Sequence, residues 1–411
     1  MKQSFKVAVT GQSLIHHDVR SITAPAFQGV CTLLRDADLS FTNFEGTIFG
    51  RFEGWPLKGS YFGCSDPAVL DALQTMGFRA LSLSNNHAFD LGPSGILSTL
   101  EEVEQRGFLH AGIGRNHGQA AQAGKATIGG RQVAVVAMDG GPGPDFMYAA
   151  DAGRGRPERP GVNRLGVTQV LDVDDSAFTS LRFIRDALGY NAMDLANDSQ
   201  PNDPPHVDGD TEVCIARAVF RRADHYARNV RVDETDLSRN LAAIAGAAQD
   251  GSMVIAYLHH HHWARDWTQV PKWVSYVARK CIDAGAAMFV SHGAPVLQPV
   301  EIYRKRPIFY SLGNFIFHVK SEESAWTAPE VWESVVGSCS FDDDNNLIEA
   351  RFSPVVIGGH DALQDGELEK RLVPQLAIGA SAERILRRFC EQSSRLGARV
   401  EISDGTGILR L

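Results

Sequence analysis

Side chains suited to acid–base or metal chemistry occur in five clusters, and each cluster directly follows an apolar, strand-like run. The clusters cover residues 12–13, 43–46, 85–92, 259–262 and 291–293. Ligands of open α/β sheets bind beyond the carboxyl ends of the strands, so these clusters predict one convergent site. Their glutamate, asparagine and histidine side chains suit a divalent metal ion. They suit general acid–base catalysis without a metal equally well.

The histidines of these clusters have distinct expected positions. Four consecutive histidines, residues 259–262, follow the strand-like run 252–258. Because side chains alternate across a strand, we expect His259 and His261 to share one side and His260 and His262 the other. Elsewhere, Asp90 follows His87 closely enough to hold its ring in one tautomer.

The elements that must position these clusters alternate between strands and helices. Apolar runs at 5–9, 39–44, 80–84, 132–138, 252–258 and 287–290 indicate strands, and periodic patterns at 27–34, 66–76, 94–105, 236–249 and 271–284 indicate helices. This alternation predicts an α/β layered fold. Residues 141–236, rich in Gly, Pro, Asp and Arg, break the pattern. We predict a long irregular insertion there, which is either a lid or substrate-contacting segment or plain surface decoration.

Composition and charge narrow the class of protein. The chain has 44% hydrophobic and 22% charged residues, which is typical of a folded globular protein. Its length of 411 residues is enough for two or three domains. A net charge of −9 argues against nucleic-acid partners and against anionic membranes. Six scattered cysteines and the lack of a signal-peptide-like or membrane-spanning run predict a cytoplasmic protein with free thiols. No pattern predicts an oligomeric state.

The order of the motifs resembles the CapA family, which is named for poly-γ-glutamate capsule synthesis and has the calcineurin-like metallophosphoesterase fold. The resemblance rests on LSFTNFEGTI (39–48), ALSLSNNHAFDLGPSGILSTL (80–100), HAGIGRN (110–116), VSHGAPVLQPVEIY (290–303) and RPIFYSLGNFIF (306–317). It implies a layered metallophosphoesterase-like β-sandwich flanked by helices, formed by residues 1–140 and 237–360. The insertion 141–236 and a C-terminal extension, 361–411, packed on the core would complete the chain.

Two motifs depart from the family pattern. In relatives the first strand usually ends in Gly-Asp, whereas here it ends in Gly11-Gln12. The late Gly-His-His-Pro-His motif is replaced by Ser291-His292-Gly293. The superfamily resemblance implies a two-metal site, and the missing groups belong mainly to one of its two positions. We therefore expect at most one divalent ion (Mn, Zn, Mg or Ca), with a metal-free site as the rival expectation.

The resemblance also implies roles for individual side chains. The candidate metal ligands are Glu45, Asn86, His259, His261 and His292. The candidate catalytic residues are Glu45, His87 and His292, and the candidate substrate-binding residues are Gln12, Asn43, His260 and Asn314. Purely structural roles stay open, because Asn43 and Asn86 suit turns and Glu45 could instead pair with Arg51.

These expectations lead to a predicted activity and to rival activities. We predict a hydrolase that acts on an amide or peptide-like bond, of the γ-glutamyl type, in a small or peptide-like substrate rich in carboxylates. The first rival is a metal- and cofactor-independent, epimerase-type enzyme, in which two acid–base groups act on opposite faces of a Cα centre. The second is a phosphoesterase, and the third is a non-catalytic component of polymer export.

Overall fold

The computed structural model describes residues 4–58, 62–197, 209–215, 218–319, 326–359 and 371–411. The chain divides into two compact units. The larger unit comprises Met1–Leu165 and Thr235–Leu411, and the smaller comprises Gly166–Glu234. All the candidate site residues lie in the larger unit.

Two β-sheets form the centre of the larger unit. The nine-stranded sheet has the order Arg399–Ser403, Thr406–Arg410, Leu347–Ile357, Glu333–Phe341, Phe5–Val9, Leu39–Asn43, Ala80–Ser82 and Leu109–Ala111, with Pro374–Leu376 beside Leu347–Ile357. The six-stranded sheet has the order Val300–Tyr303, Arg306–Phe309, Met288–His292, Met253–His259, Arg131–Asp139 and Gly124–Ile128. Among the described residues, the α-helices of this unit are Pro25–Arg35, Ala68–Met76, Gly92–Gln105, His117–Ala120, Glu234–Gln249, Lys272–Asp283 and Gly379–Ser394, of which Glu234–Gln249 begins at the last residue of the smaller unit.

Strand alternation divides the buried side chains between two layers. Val7 and Val9 pack in one apolar cluster with Ile255 of the other sheet. Ala8, between them, packs instead with Phe27 on the helical side. The two sheets therefore enclose one core, and helices cover the outer face of the nine-stranded sheet. This arrangement confirms the predicted α/β layered sandwich flanked by helices.

Parallel pairing brings the carboxyl ends of the strands to common edges. In the nine-stranded sheet, Phe5–Val9, Leu39–Asn43, Ala80–Ser82 and Leu109–Ala111 run parallel. In the six-stranded sheet, Arg131–Asp139, Met253–His259 and Met288–His292 run parallel, and their last residues pair in one row. The polar clusters that follow these strands are thereby placed side by side.

The smaller unit is more regular than its composition indicates. Strands Val167–Val173, Glu212–Ile215, Ala218–Arg222 and Ala227–Val232 form one sheet, and Asp175–Ala187 and Tyr190–Asn197 are helices. Val173, Phe178 and Val213 form its small core. The Gly- and Arg-rich stretch 153–157 precedes these elements, and the Pro-rich stretch 198–205 lies outside the described residues. The composition of the whole segment therefore concealed its alternating strands. Whether this segment acts as a lid stays a prediction.

The C-terminal part of the chain adds to the larger sheet. The hairpin Arg399–Ser403 and Thr406–Arg410 extends the nine-stranded sheet through pairing with Leu347–Ile357. Within the described ranges, no helix combines the length and apolar character needed to cross a membrane.

Candidate functional site

A buried carboxylate and two imidazoles meet where the strand ends converge. One ligand atom from each of Glu45, His259 and His261 lies within 4.8 Å of the others. The Nε2 atom of His259 is 3.7 Å from Glu45 Oε1 and 2.9 Å from the side-chain oxygen of Asn86. We call Glu45, His259 and His261 the carboxylate–imidazole cluster. Four of the five predicted metal ligands thus lie at one place.

The backbone explains why alternate histidines face this cluster. The rings of His259 and His261 approach each other, with centroids 5.1 Å apart, whereas the ring of His260 packs edge-on against Trp273 at 4.9 Å. The backbone N–H of His260 donates to His292 O at 3.1 Å. A side chain at Gly293, where φ is 121°, would place its Cβ 1.8 Å from His260 O, so this close approach requires glycine.

Burial controls the electrostatics of the cluster. Glu45 is 3% exposed, and burial raises the pKa of its carboxyl to about 7. Burial, together with the neighbouring imidazoles, lowers the pKa of His259 well below the ordinary value. Burial likewise lowers the pKa of His261 to about 3. Both imidazoles are therefore neutral at physiological pH and keep a lone pair available for a ligand.

Several buried polar atoms around the cluster lack hydrogen-bond partners among the described residues. They include Gln12 Oε1, Asn43 Nδ2, Glu45 Oε2, Asp139 Oδ1 and His261 Nε2. Buried polar groups in native proteins are nearly always paired, so this concentration calls for a bound group. A divalent ion accepts both carboxylate oxygen and neutral imidazole nitrogen, and three protein ligands with open positions are typical of catalytic sites. The residues present therefore fit one metal ion.

A charged network adjoins the cluster on the 85–92 turn. The Nδ1 atom of His87 lies 2.7 Å from Asp90 Oδ2, as the sequence predicts. Lys58 Nζ lies 2.9 Å from Asp90 Oδ1 and donates to Asn86 O at 2.6 Å. Burial acts to raise the pKa of Asp90, but the hydrogen bond from His87 and the charges of His87 and Lys58 outweigh it, so this pKa is lowered. The ionised Asp90 orients His87 with its other ring nitrogen available for proton transfer.

His292 lies beside the cluster rather than within it. It pairs in register with His259 at the end of the neighbouring strand. Its ring is 5.6 Å from the ring of Tyr257, and burial lowers the pKa of His292 to about 3. Among the residues described, the atoms that converge to ligand distance are those of Glu45, His259 and His261, without His292.

The predicted substrate-binding residues have mixed positions. Gln12 donates through Nε2 to Asn314 Oδ1 at 2.9 Å, and Asn314 donates to Val331 O at 3.0 Å. Asn43 Oδ1 accepts from Asn85 Nδ2 at 3.3 Å. All three of these side chains thus have contacts within the protein framework, while one polar atom of Gln12 and one of Asn43 stay unpaired in the described part of the chain. His260, facing Trp273, is not brought to the cluster.

The alternative role of Glu45, an ion pair with Arg51, is not found among the described residues. Arg51 instead binds Glu101 at 2.7 Å. The side chains that surround Glu45 follow the ends of strands that are distant from it in the sequence, as His259 and His261 do.

Two residues of the site are absent from the sequence-based prediction. Asp139 ends a buried strand, as other candidates do, and burial raises its pKa to about 7. The same signal, an acidic residue directly after an apolar run, would have identified it. Lys58 lies in the loop before residue 59, and no periodic pattern or motif marks it.

Comparisons with known proteins agree with the motif resemblance. The family model described as bacterial capsule synthesis protein PGA_cap matches residues 6–319. An uncharacterized protein of Sinorhizobium fredii is 30% identical over 99% of this chain and 93% of its own length. The PGA biosynthesis protein CapA of Bacillus subtilis is 23% identical over 73% of this chain and 57% of its own length. A probable polyglutamine synthesis accessory protein of Mycobacterium tuberculosis is 22% identical over 88% of this chain and 74% of its own length.

Proposed function

Since the chain belongs to the bacterial capsule synthesis protein family, we propose that it is a metal-dependent hydrolase of an amide bond in a carboxylate-rich substrate. The observation that carries this proposal is the convergence of the buried Glu45 and His259 with the half-buried His261. Glu45 Oε2 and His261 Nε2 have no partner there within the described ranges, so they are available to a metal ion.

The substrate class follows from the family and from the charge beside the cluster. Two relatives are named for PGA biosynthesis and for polyglutamine synthesis. Poly-γ-glutamate is a chain of amide bonds with a free carboxylate on every unit. The Lys58 ammonium, whose side chain is 37% exposed, donates one hydrogen bond to Asn86 O and forms an ion pair with Asp90. An ammonium group has three donors, so it can also donate to such a carboxylate. We therefore favour a γ-glutamyl amide as the scissile bond.

The chain supplies the positioning and the proton transfer. A divalent ion bound by Glu45, His259 and His261 would polarise the amide carbonyl or lower the pKa of a water molecule. The side-chain oxygen of Asn86, 2.9 Å from His259 Nε2, is close enough to join the same ion. His87, held through Nδ1 by Asp90, presents Nε2 to protonate the leaving amine.

The proposal is tested by hydrolysis of poly-γ-glutamate and of a γ-glutamyl anilide, before and after the metal is removed with a chelator. We expect activity to disappear with the metal and to return on reloading. His87→Gln should lower turnover by about 10²- to 10⁴-fold without changing metal content, since it removes a general acid and no ligand. The matched control is His260→Ala, which should retain activity.

Three results would overturn the proposal, and each points to a different mechanism. Full hydrolysis by metal-free protein would exclude the metal-dependent mechanism. Deuterium uptake at a Cα centre in heavy water, without hydrolysis, would establish the epimerase-type reaction. Turnover of an aryl phosphate with manganese, but not of γ-glutamyl amides, would establish a phosphoesterase.

A further inference from the structure

A second buried carboxylate lies beside the carboxylate–imidazole cluster. Asp139, which is 0% exposed, ends the strand Arg131–Asp139. It pairs in register with His259, which pairs in turn with His292. Because the strands are parallel and side chains alternate between faces, residues paired in register project from the same face of the sheet. Asp139 therefore stands in one row with two of the candidate site histidines.

The contacts of Asp139 lead directly to the backbone of the proposed metal ligands. Its Oδ2 atom accepts hydrogen bonds from Tyr148 OH and from Gly141 N, each at 3.1 Å. Gly141 O in turn accepts from the backbone N–H of His261 at 2.8 Å. The backbone N–H of Gly140 donates to His259 O at 2.7 Å.

These bonds hold two histidines that differ in their local secondary structure. His259 is the last residue of a strand, but His261 follows it in a stretch without regular secondary structure. Strand pairing therefore fixes the first histidine, while the second depends on its bond to Gly141. The Gly141 backbone has φ 69°, and its N–H is held by Asp139. Loss of the Asp139 carboxylate would thus release the anchor of His261.

We propose that Asp139 is a positioning residue of the metal site, which holds the 139–141 turn against His259 and His261 and thereby sets the affinity for the ion. This inference rests on the proposed function. Groups that orient metal ligands typically contribute about 10- to 100-fold to metal affinity. The role is exerted through the histidines, because the Asp139 oxygens are not among the described ligand atoms that converge within 4.8 Å.

A second buried acid with a tyrosine partner offers a matched control. Glu301, 4% exposed, accepts a hydrogen bond from Tyr310 OH at 2.5 Å on the same six-stranded sheet. It also binds Arg279 at 2.7 Å. Its bonds stabilise the sheet edge and the adjacent helix rather than the backbone of a candidate ligand. Replacing Glu301 therefore tests the loss of a buried acid without disturbing the 139–141 turn.

The experiment is a cobalt(II) titration of the full chain, followed by the visible absorption of the bound ion, with zinc competition for tight binding. We expect Asp139→Ala to weaken cobalt binding by about 10- to 100-fold and to change the absorption spectrum. Asp139→Asn, whose amide oxygen still accepts from Gly141 N, should restore most of the affinity. Glu301→Gln should leave the affinity and the spectrum unchanged.

The outcomes separate this inference from the proposed function. Wild-type protein that binds neither cobalt nor zinc would overturn the proposed function itself. Wild-type affinity and spectrum in a folded Asp139→Ala variant would overturn only the positioning role. If Asp139→Ala does not fold, Tyr148→Phe decides, because it removes one of the two donors to Oδ2. A several-fold loss of affinity is expected, and unchanged binding would contradict the role.

Discussion

Two buried glutamates of this protein have opposite surroundings. Glu333, 0% exposed, accepts from Arg384 at 2.5 Å and from Arg388 at 2.6 Å. Glu45 is 3% exposed, lies among imidazoles, and has one oxygen without a partner among the described residues. The first carboxylate is neutralised by the chain itself, so its burial is structural. The second is left uncompensated at a convergence of strand ends, which is the position of a ligand site.

The histidines show the same contrast. His318 is buried, and both ring nitrogens are used: Nδ1 accepts from His16 N at 2.9 Å, and Nε2 donates to Leu372 O at 2.7 Å. His261 is packed against His259 and Trp263, but its Nε2 atom has no partner in the described part of the chain. Burial alone therefore does not identify a functional residue. Burial with an unused polar atom does.

The largest expected effect is a difference in metal affinity between variants of two adjacent histidines, His261 and His260. We expect His261→Ala to weaken binding of a divalent ion by more than about 100-fold, because it removes a direct ligand rather than an outer-shell partner. His260→Ala should retain the wild-type affinity, since His260 faces Trp273. Isothermal titration with zinc or manganese measures both. Equal losses in the two variants would contradict the orientation of the pair.

Protonation of His318, whose two ring nitrogens both have hydrogen-bond partners, should make the protein less stable at low pH. Burial lowers the pKa of His318 to about 4, so protonation favours the unfolded chain as the pH falls from about 6.5 towards 4. Between pH 7 and pH 4.5 the wild type should lose about 2 to 3 kcal/mol more than His318→Gln. Urea unfolding at the two pH values measures this difference. Parallel losses in both proteins would show that His318 does not titrate with folding.

The compensated glutamate should contribute to the stability of the fold and not to the site. Glu333→Gln leaves two guanidinium groups with a neutral partner, so we expect a loss of about 2 to 3 kcal/mol in the free energy of unfolding. Metal affinity should be unchanged. Urea unfolding of the metal-free protein and a zinc titration test the two halves of this prediction, and weakened zinc binding would contradict the separation.

Replacing the uncompensated Glu45 should increase the free energy of unfolding, whereas replacing Glu333 should decrease it. Burial raises the pKa of Glu45 to about 7, so above that pH the metal-free protein holds a buried carboxylate at a cost. At pH 8 without metal, the rise in the pKa of Glu45 from the ordinary 4.5 to about 7 corresponds to a cost of about 3 kcal/mol, so Glu45→Gln should gain up to that amount of stability. Urea unfolding in the presence of a chelator measures it. A loss comparable to that of Glu333→Gln would mean that Glu45 is compensated after all.

Much of the fold could be predicted from the sequence because its signals are local. Apolar runs and their polar ends indicated the strands, and a period of two indicated that His259 and His261 share a side. The 166–234 unit was harder, because glycine and proline in the flanking pieces concealed its short strands.

Other parts of the site depend on contacts that no local pattern encodes. Asp139 reaches His261 through Gly141, and that bond follows from the pairing of strands that lie far apart in the sequence. Lys58 reaches Asp90 from an irregular loop. A motif predicts the residue types of a site, but the register of the strands determines which of these side chains come into contact.

The most direct test is elemental analysis of wild-type, Glu45→Gln and Glu333→Gln protein purified without an affinity tag. We predict about one equivalent of a divalent metal in the wild type and in Glu333→Gln, and a loss of most of it in Glu45→Gln. A folded wild-type protein without metal, or equal metal content in Glu45→Gln, would contradict the conclusion that the uncompensated carboxylate is a metal ligand.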